Sequence, residues 1–131
     1  MKNQRSSRQR QLILEAVKKR HDHPTADQIY LDVRSEDSHI SRGTVYRNLA
    51  LLSASGQISN VKVPAADRFD FRPDRHYHLF CTGCGRVFDA PISYHDEYDA
   101  LVAEETGFQI RRHRTVFEGL CPDCSSKKEE N

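Results

Sequence analysis

Two pairs of cysteines, each spaced as C-x-x-C, constrain the fold of this chain more than any other feature. The pairs are Cys81 with Cys84 and Cys121 with Cys124, and 36 residues separate them. Two thiolates that flank a turn can hold one side of a tetrahedral ion, so two such pairs complete a four-sulphur zinc site. Two disulfides or a redox motif fit less well, because redox C-x-x-C motifs open a helix in a βαβ unit and do not come in pairs. We therefore expect a structural Zn²⁺ ion that ties the start of one domain to its end.

The length and the apolar content favour a cytoplasmic protein with no membrane partner. No apolar run approaches the roughly 18 residues that a membrane span needs. The polar start "MKNQRSSRQRQ" lacks the apolar stretch of a secretory signal. A chain of 131 residues fits one ordinary domain or two small ones. Two small domains would have thin cores, which a metal ion or an oligomer would support.

Charge is distributed unevenly along the chain. Residues 1–72 hold 13 lysines and arginines against 8 acidic residues, whereas residues 73–131 hold 7 against 11. A basic first half suggests contact with a polyanion, although chance asymmetry in a small protein explains the counts equally well. The basic segment "KNQRSSRQR" has two interpretations of the same kind, as an arm that contacts phosphates or as a flexible tail.

The first half reads as three helices and a hairpin. Apolar residues recur at helical spacing in "RQRQLILEAVKKRH". Thr25 and Gln28 form a capping box for the second helix, and Ser41 caps a third, which Gly56 ends. The strand candidates "QISNVKV" and "RFDF" follow, with a turn between them. This is the order of a winged helix-turn-helix, which we assign to residues 1–72, with a hinge at 73–75.

The third helix carries polar side chains on the side away from its apolar positions. Side chains of these types can contact base edges and phosphates from the major groove. An ordinary solvated helix face has the same composition, so the pattern alone leaves both interpretations open. The candidate DNA-binding residues are Arg42, Thr44, Tyr46, Arg47 and Asn48.

The second half mixes strands with one helix, so the whole chain is of the α+β class. "HYHLF" and "RVFDA" read as antiparallel strands, an amphipathic helix covers about 94–106 and ends at Gly107, and "FQIRRHRTVFEGL" reads as a final strand. We assign residues 76–125 to this second domain and 126–131 to a disordered tail.

Two histidines share the first strand of this domain with the first cysteine pair. Strand residues two apart point to the same face, so His76 and His78 face one side and Cys81 the other. His-x-His on a strand is a common metal chelate, but two hydrogen-bonded histidines are as common. His23, Asp70 and Asp89 are candidate partners, each of which is more often structural when taken alone.

Taken together, the chain resembles the ferric uptake regulator (Fur) family over nearly its whole length. The resemblance implies an N-terminal winged helix and a C-terminal α/β dimerisation domain. It also implies a metal-gated, homodimeric bacterial repressor that binds an inverted-repeat operator in double-stranded DNA. The motifs that carry it are "HPTADQIY", "ISRGTVYRNLALL", "RFDF", "HYHLFCTGCGRVFD" and "GFQIRRHRTVFEGLCPDC".

Within this family the chain is most similar to the peroxide-sensing branch. Iron-responsive members usually carry glutamate where Asp70 stands. Arg75 and Tyr77 occupy positions that supply a further metal site in other members, and they should disable it although Asp96 and His113 match. We therefore expect two metal sites per protomer. The resemblance implies that the regulatory ion is held by His23, Asp70, His76, His78 and Asp89.

Nitrogen and hard oxygen ligands suit Fe²⁺ or Mn²⁺, and an ion held by both domains would fix the spacing of two recognition helices in a dimer. In the peroxide-sensing branch, peroxide reacts with bound Fe²⁺ and a ligand histidine is oxidised, here His23 or His76. Peroxide is then a signal, and the protein is not an enzyme. The alternatives are an iron-responsive repressor of iron uptake genes without peroxide sensing, a metalloenzyme, and a zinc-only adaptor.

Overall fold

The computed structural model describes residues 2–129, and the chain divides into two compact units, Met1–Asp74 and Arg75–Asn131. The division falls inside the segment 73–75 that we expect to be a hinge. In the described part of the chain, no helix has the length and apolar character that crossing a membrane requires.

The first unit consists of three helices followed by a two-stranded hairpin. The helices are α1 (Lys2–Lys19), α2 (Ala26–Arg34) and α3 (Arg42–Ala54), and the strands are β1 (Ser59–Val61) and β2 (Arg68–Asp70). The two strands are antiparallel. This order of elements confirms the winged helix-turn-helix predicted for this half.

Local sequence signals set the helix ends in the first unit. Thr25 and Gln28 form a reciprocal capping box at the start of α2, and the Ser41 side chain accepts from the Thr44 backbone at the start of α3. Gly56 follows α3 with φ of 80°, a conformation that glycine adopts without strain. Apolar residues from all three helices and the hairpin then form one core, which includes Ile13, Val17, Ile29, Val33, Val45, Leu49, Leu52, Ile58 and Phe69.

The basic segment near the N-terminus is not a separate arm. Its residues belong to α1, which runs without a break from Lys2 to Lys19. Helix formation continues through "KNQRSSRQR" because it contains no proline or glycine, and arginine and glutamine are good helix formers. Of the two interpretations, the flexible tail is therefore wrong for residues 2–10, and contact with phosphates stays a prediction.

The second unit contains a three-stranded sheet and two helices. The strands are β3 (His78–Cys81), β4 (Val87–Asp89) and β5 (Val116–Gly119), and the helices are α4 (Asp96–Thr106) and α5 (Pro122–Glu129). The strand order is β4-β3-β5. β3 pairs antiparallel with β4 and parallel with β5, which places β3 at the centre of the sheet.

Two predictions for the second unit need correction. The final strand covers only Val116–Gly119, because within the protomer just these four residues pair with β3. The expected disordered tail is helical as far as Glu129, and residues 130–131 lie outside the described residues. Pro122, whose fixed φ suits a first helical turn, and Asp123, whose charge suits a helix N-terminus, favour this helix.

Candidate metal centres

The four cysteines come together in the second unit. Their sulphur atoms all lie within 4.8 Å of one another. Cys81 ends β3 and pairs in register with Gly119 of the parallel strand β5. Both cysteine pairs therefore leave the sheet at the same end, where Cys84 lies in the turn after β3 and Cys124 in α5. The second pair does open a helix, as redox motifs do, but its sulphurs lie beside those of the first pair.

The sulphur geometry fits a tetrahedral ion. The sulphurs of Cys84 and Cys121 are 3.9 Å apart, and zinc–sulphur bonds in a tetrahedron place sulphurs about 3.8 Å apart. The backbone N–H groups of Cys121 and Cys84 donate to the Cys81 sulphur at 3.3 and 3.4 Å. These hydrogen bonds lower the pKa of the Cys81 thiol to about 5, which favours the thiolate that zinc binds.

The pKa values of the two thiols in the second pair shift in opposite directions. A hydrogen bond from the Cys124 backbone N–H lowers the pKa of Cys121. Hydrogen bonding to Cys81 and Cys121 raises the pKa of Cys124 to about 12, because the Cys124 thiol keeps its proton next to those sulphurs. Four sulphurs this close together form a donor set suited to a soft divalent cation.

A glycine in the first cysteine turn allows the two pairs to approach. A Cβ atom added to Gly83 would lie 3.0 Å from the Cys124 sulphur and 3.1 Å from Leu120 Cδ2. Atoms this close to a Cβ would have to move. The "CTGC" turn therefore leaves little space for a side chain at this position.

His23 and Asp70 form a buried pair in the first unit. His23 precedes the capping residue of α2 and has φ of 52°, in the left-handed region that non-glycine residues rarely adopt. Its Nε2 atom lies 3.2 Å from Oδ2 of Asp70 at the end of β2, and both side chains are less than a tenth exposed. Backbone strain of this kind often marks a functional position.

His76, His78 and Asp89 converge in the second unit. The register of β3 and β4 places His78 directly opposite Asp89. His76 precedes β3, yet its ring centre lies 4.4 Å from that of His78, so the two imidazoles share a face as expected. Their Nε2 atoms lie 2.9 and 3.4 Å from the same carboxylate oxygen of Asp89. Two nitrogens and one oxygen thus point towards one position.

Tyr77 is hydrogen-bonded to His113, and His113 is hydrogen-bonded in turn to Asp99, a residue that the sequence did not single out. The Tyr77 hydroxyl lies 2.6 Å from His113 Nε2, and Asp99 Oδ1 lies 2.8 Å from His113 Nδ1. Tyr94 donates to the other oxygen of Asp99 at 2.6 Å. We expected Asp96 near His113, but 96 and 99 are one helical turn apart, so spacing alone does not choose between them.

The candidate DNA-binding residues of α3 divide into exposed and buried ones. Arg42, Tyr46 and Arg47 are exposed and Thr44 is half-buried. Asn48 is only 5% exposed, so the prediction that it lies on the solvent side is wrong. Its side chain donates to the Thr44 carbonyl and accepts from Arg10 of α1. Asn48 lies one helical turn after Thr44 and points towards α1. The periodicity of α3 alone did not reveal this.

A comparison with protein-family models matches residues 1–118 to the description "Ferric uptake regulator family". The chain belongs to the ferric uptake regulator family. The Fur-family membership expected from the motifs is thus confirmed, and with it the α+β fold.

Relatives within the Fur family include named peroxide regulators. The chain is 38% identical over 121 residues to the peroxide operon regulator of Bacillus subtilis, covering 92% of this chain and 83% of that protein. It is 37% identical over 120 residues to the peroxide-responsive repressor PerR of Staphylococcus saprophyticus, covering 91% and 81%. The crystal structure of the Campylobacter jejuni peroxide stress regulator matches with a TM-score of 0.73 at 28% identity, covering 92% of this chain and 91% of that one.

Proposed function

We propose that this protein is a metal-dependent, DNA-binding transcriptional repressor of the Fur family that senses peroxide. The observation that carries the proposal is the convergence of His76 and His78 on one oxygen of Asp89. Two imidazoles and a carboxylate at one position suit a divalent ion of intermediate hardness. The named peroxide regulators among the relatives support the same assignment.

The regulatory ion is Fe²⁺ or Mn²⁺, and both units contribute its ligands. His23 and Asp70 come from the winged-helix unit, where they already form a buried pair. His76, His78 and Asp89 come from the other unit. An ion held by all five would restrict movement at residues 73–75 and fix the DNA-binding unit in one orientation. The metal then controls operator binding because it changes the population of the competent arrangement.

The second ion is structural Zn²⁺ bound by the four cysteines. The separation of the sulphurs and the hydrogen bonds to Cys81 support this assignment. The segment from Cys121 into α5, which carries the second pair, gains a link to the turn after β3. Bound zinc contributes folding free energy directly, because an unfolded chain has no such site.

The partners are a second copy of the chain and an inverted-repeat operator in double-stranded DNA. The exposed face of α4 supports the dimer, since Tyr98, Leu101 and Val102 are each about half exposed in the protomer. Large apolar patches on a single chain mark interaction surfaces. Arg42, Tyr46 and Arg47 on α3 supply the DNA-facing side chains, and the basic first half supplies the charge. A cytoplasmic location follows from this role.

Peroxide sensing uses a ligand histidine as the oxidised group. Bound Fe²⁺ would supply the electron that turns peroxide into a strong local oxidant. His23 and His76 are the candidate targets, and an oxygen atom added to either ring would weaken it as a ligand. Each protein molecule reacts once, so the process is a switch and not enzymatic turnover.

The decisive experiment is operator binding titrated with Fe²⁺ and with Mn²⁺, with and without dilute peroxide. We expect both ions to promote binding and peroxide to abolish only the Fe²⁺ form. Mass spectrometry should then find one added oxygen atom on the peptide with His23 or His76. Fe²⁺-dependent binding that survives peroxide without histidine oxidation would contradict peroxide sensing and leave an iron-responsive repressor. No metal-dependent binding at all would contradict the repressor assignment.

A further inference from the structure

We propose that Arg86 protects the four-cysteine site from peroxide by donating hydrogen bonds to two of its sulphurs. The inference rests on the proposed zinc site and on peroxide as the signal. A protein that meets peroxide at one metal site has to keep the thiolates of its other site from reacting. Thiolates are the reactive form of cysteine towards peroxide, so the site needs protection.

The guanidinium of Arg86 contacts both cysteine pairs. Its Nε atom lies 3.3 Å from the Cys84 sulphur, and its Nη2 atom lies 3.3 Å from the Cys121 sulphur. Cys81 receives backbone N–H donors instead. The site therefore draws on two kinds of donor, and Arg86 supplies a charged donor to one sulphur of each pair.

Arg86 donates to the sulphur of the most exposed of the four cysteines. Cys84 is the exposed residue of the four, whereas Cys81 and Cys121 are buried and Cys124 is intermediate. A hydrogen bond from a cation withdraws charge from the sulphur lone pairs and so reduces nucleophilicity. Arg86 thus acts on a sulphur whose residue is exposed to solvent and so to peroxide.

Two further contacts hold the guanidinium in place. Its Nη2 atom lies 3.2 Å from a carboxylate oxygen of Asp123 in α5. Its central carbon lies 5.2 Å from the centre of the Phe88 ring in β4, a cation–π distance. A lysine has one point charge on a flexible stem, so it cannot reproduce donation to two sulphurs and a carboxylate together.

The reaction that Arg86 opposes has two steps. A thiolate sulphur attacks one peroxide oxygen, the O–O bond breaks, and the products are a sulfenic acid and hydroxide. A second thiolate then attacks the sulfenic sulphur, forming a disulfide and releasing another hydroxide. The two sulphurs are oxidised by two electrons in total, the peroxide is reduced, and two ligands for zinc are lost.

The test measures zinc release from the full-length protein under dilute peroxide with a coloured zinc chelator. We compare wild type with Arg86→Met, Arg86→Lys and Lys127→Met. Lys127→Met is the matched control. It also removes one positive charge, but from α5, the helix that carries Cys124. We expect release from Arg86→Met to be about tenfold faster than from wild type, with Arg86→Lys between the two. Lys127→Met should match wild type.

Mass spectrometry of partly oxidised protein locates the first modified sulphur. Oxidation should begin at Cys84 in Arg86→Met. Release at the wild-type rate in Arg86→Met, or equal acceleration in Lys127→Met, would overturn the inference.

Asp123→Asn provides a second variant in case Arg86→Met does not fold. It keeps the guanidinium but loosens its anchor, and we expect a smaller acceleration than in Arg86→Met. If Asp123→Asn and Arg86→Lys both release zinc at the wild-type rate, the inference is overturned even when Arg86→Met does not fold. The zinc content of untreated wild type separates the two proposals, since less than one ion per protomer contradicts the zinc site itself.

Discussion

The hydroxyl of Tyr77 is hydrogen-bonded to Nε2 of His113 at 2.6 Å, at a position where the Fur-family resemblance pointed to a missing metal ligand. The same hydroxyl accepts from the His95 backbone N–H at 3.1 Å. Tyr77 is 3% exposed, so both hydrogen bonds are made by a buried side chain. A tyrosine therefore completes a polar network here through hydrogen bonds.

Replacement of Tyr77 by phenylalanine should destabilise the second unit. The change removes the hydrogen bonds of the hydroxyl to His113 and to the His95 N–H, at a cost of about 1 kcal/mol in the free energy of unfolding. Denaturant titration of the zinc-loaded protein measures this change. Tyr98→Phe is the control, because Tyr98 is half exposed. Equal stability of Tyr77→Phe and Tyr98→Phe would contradict the prediction.

Asp99 should make the stability of the second unit depend on pH. Hydrogen bonds from Tyr94 and then from His113 lower the pKa of the Asp99 carboxyl in the folded state. A lowered folded-state pKa contributes stability above the unfolded-state pKa, and this contribution is lost as the pH falls towards the folded-state value. Thermal unfolding of Asp99→Asn should therefore vary less with pH below the ordinary range of an aspartate than that of wild type. Parallel pH profiles would refute the assignment.

Gly83→Ala should weaken zinc retention. The new methyl group would lie 3.0 Å from the Cys124 sulphur, so the two cysteine turns would have to separate. Gly119→Ala is the control, because a Cβ at that position meets nothing within 4 Å. The half-life of zinc in excess chelator should fall for Gly83→Ala and remain near the wild-type value for Gly119→Ala. A similar half-life in both variants would show that space at Gly83 is not limiting.

Asp89→Glu should separate operator binding from peroxide sensing. Glutamate keeps a carboxylate on β4 but moves its oxygens relative to the Nε2 atoms of His76 and His78. We expect Mn²⁺-dependent operator binding to persist and the oxidation of a ligand histidine under Fe²⁺ and peroxide to fall. Gel retardation and peptide mass spectrometry on the same samples provide the two measurements. Loss of binding together with oxidation would mean that the geometry of Asp89 matters equally for both.

Leu101→Glu should disrupt the homodimer. Leu101 is 56% exposed on α4, and burying a charge in an apolar interface is costly. Leu31→Glu is the matched control, because Leu31 is 58% exposed but lies on α2 of the winged-helix unit. Sedimentation equilibrium should find a dissociation constant at least about tenfold higher for Leu101→Glu alone. A dimer of unchanged strength would exclude this face of α4 from the interface.

The parts of this protein that depend on local chemistry followed from the sequence. The capping box of Thr25 and Gln28, the cap at Ser41 and the side-chain alternation around His78 each require only neighbouring residues. The spacing of the two cysteine pairs predicted the four-sulphur site, because four thiols in this spacing have few other uses.

The parts that depend on packing did not follow from the sequence. Asn48 is buried because α1 covers that side of α3, and the third helix alone carries no sign of this. Asp99 rather than Asp96 is hydrogen-bonded to His113, and two aspartates one helical turn apart cannot be told apart by spacing alone. Arg86 showed no pattern in the sequence, because its role depends on sulphurs that come from both ends of the second unit.

The parallel pairing of β3 and β5 has a consequence for how the protein is made. Cys81 and Cys84 leave the ribosome well before Cys121 and Cys124, and β3 has no parallel neighbour until β5 has been synthesised. During this interval the first pair can offer only two sulphurs to a metal ion. The complete site can form only after Cys121 and Cys124 have also been synthesised and β5 has paired with β3.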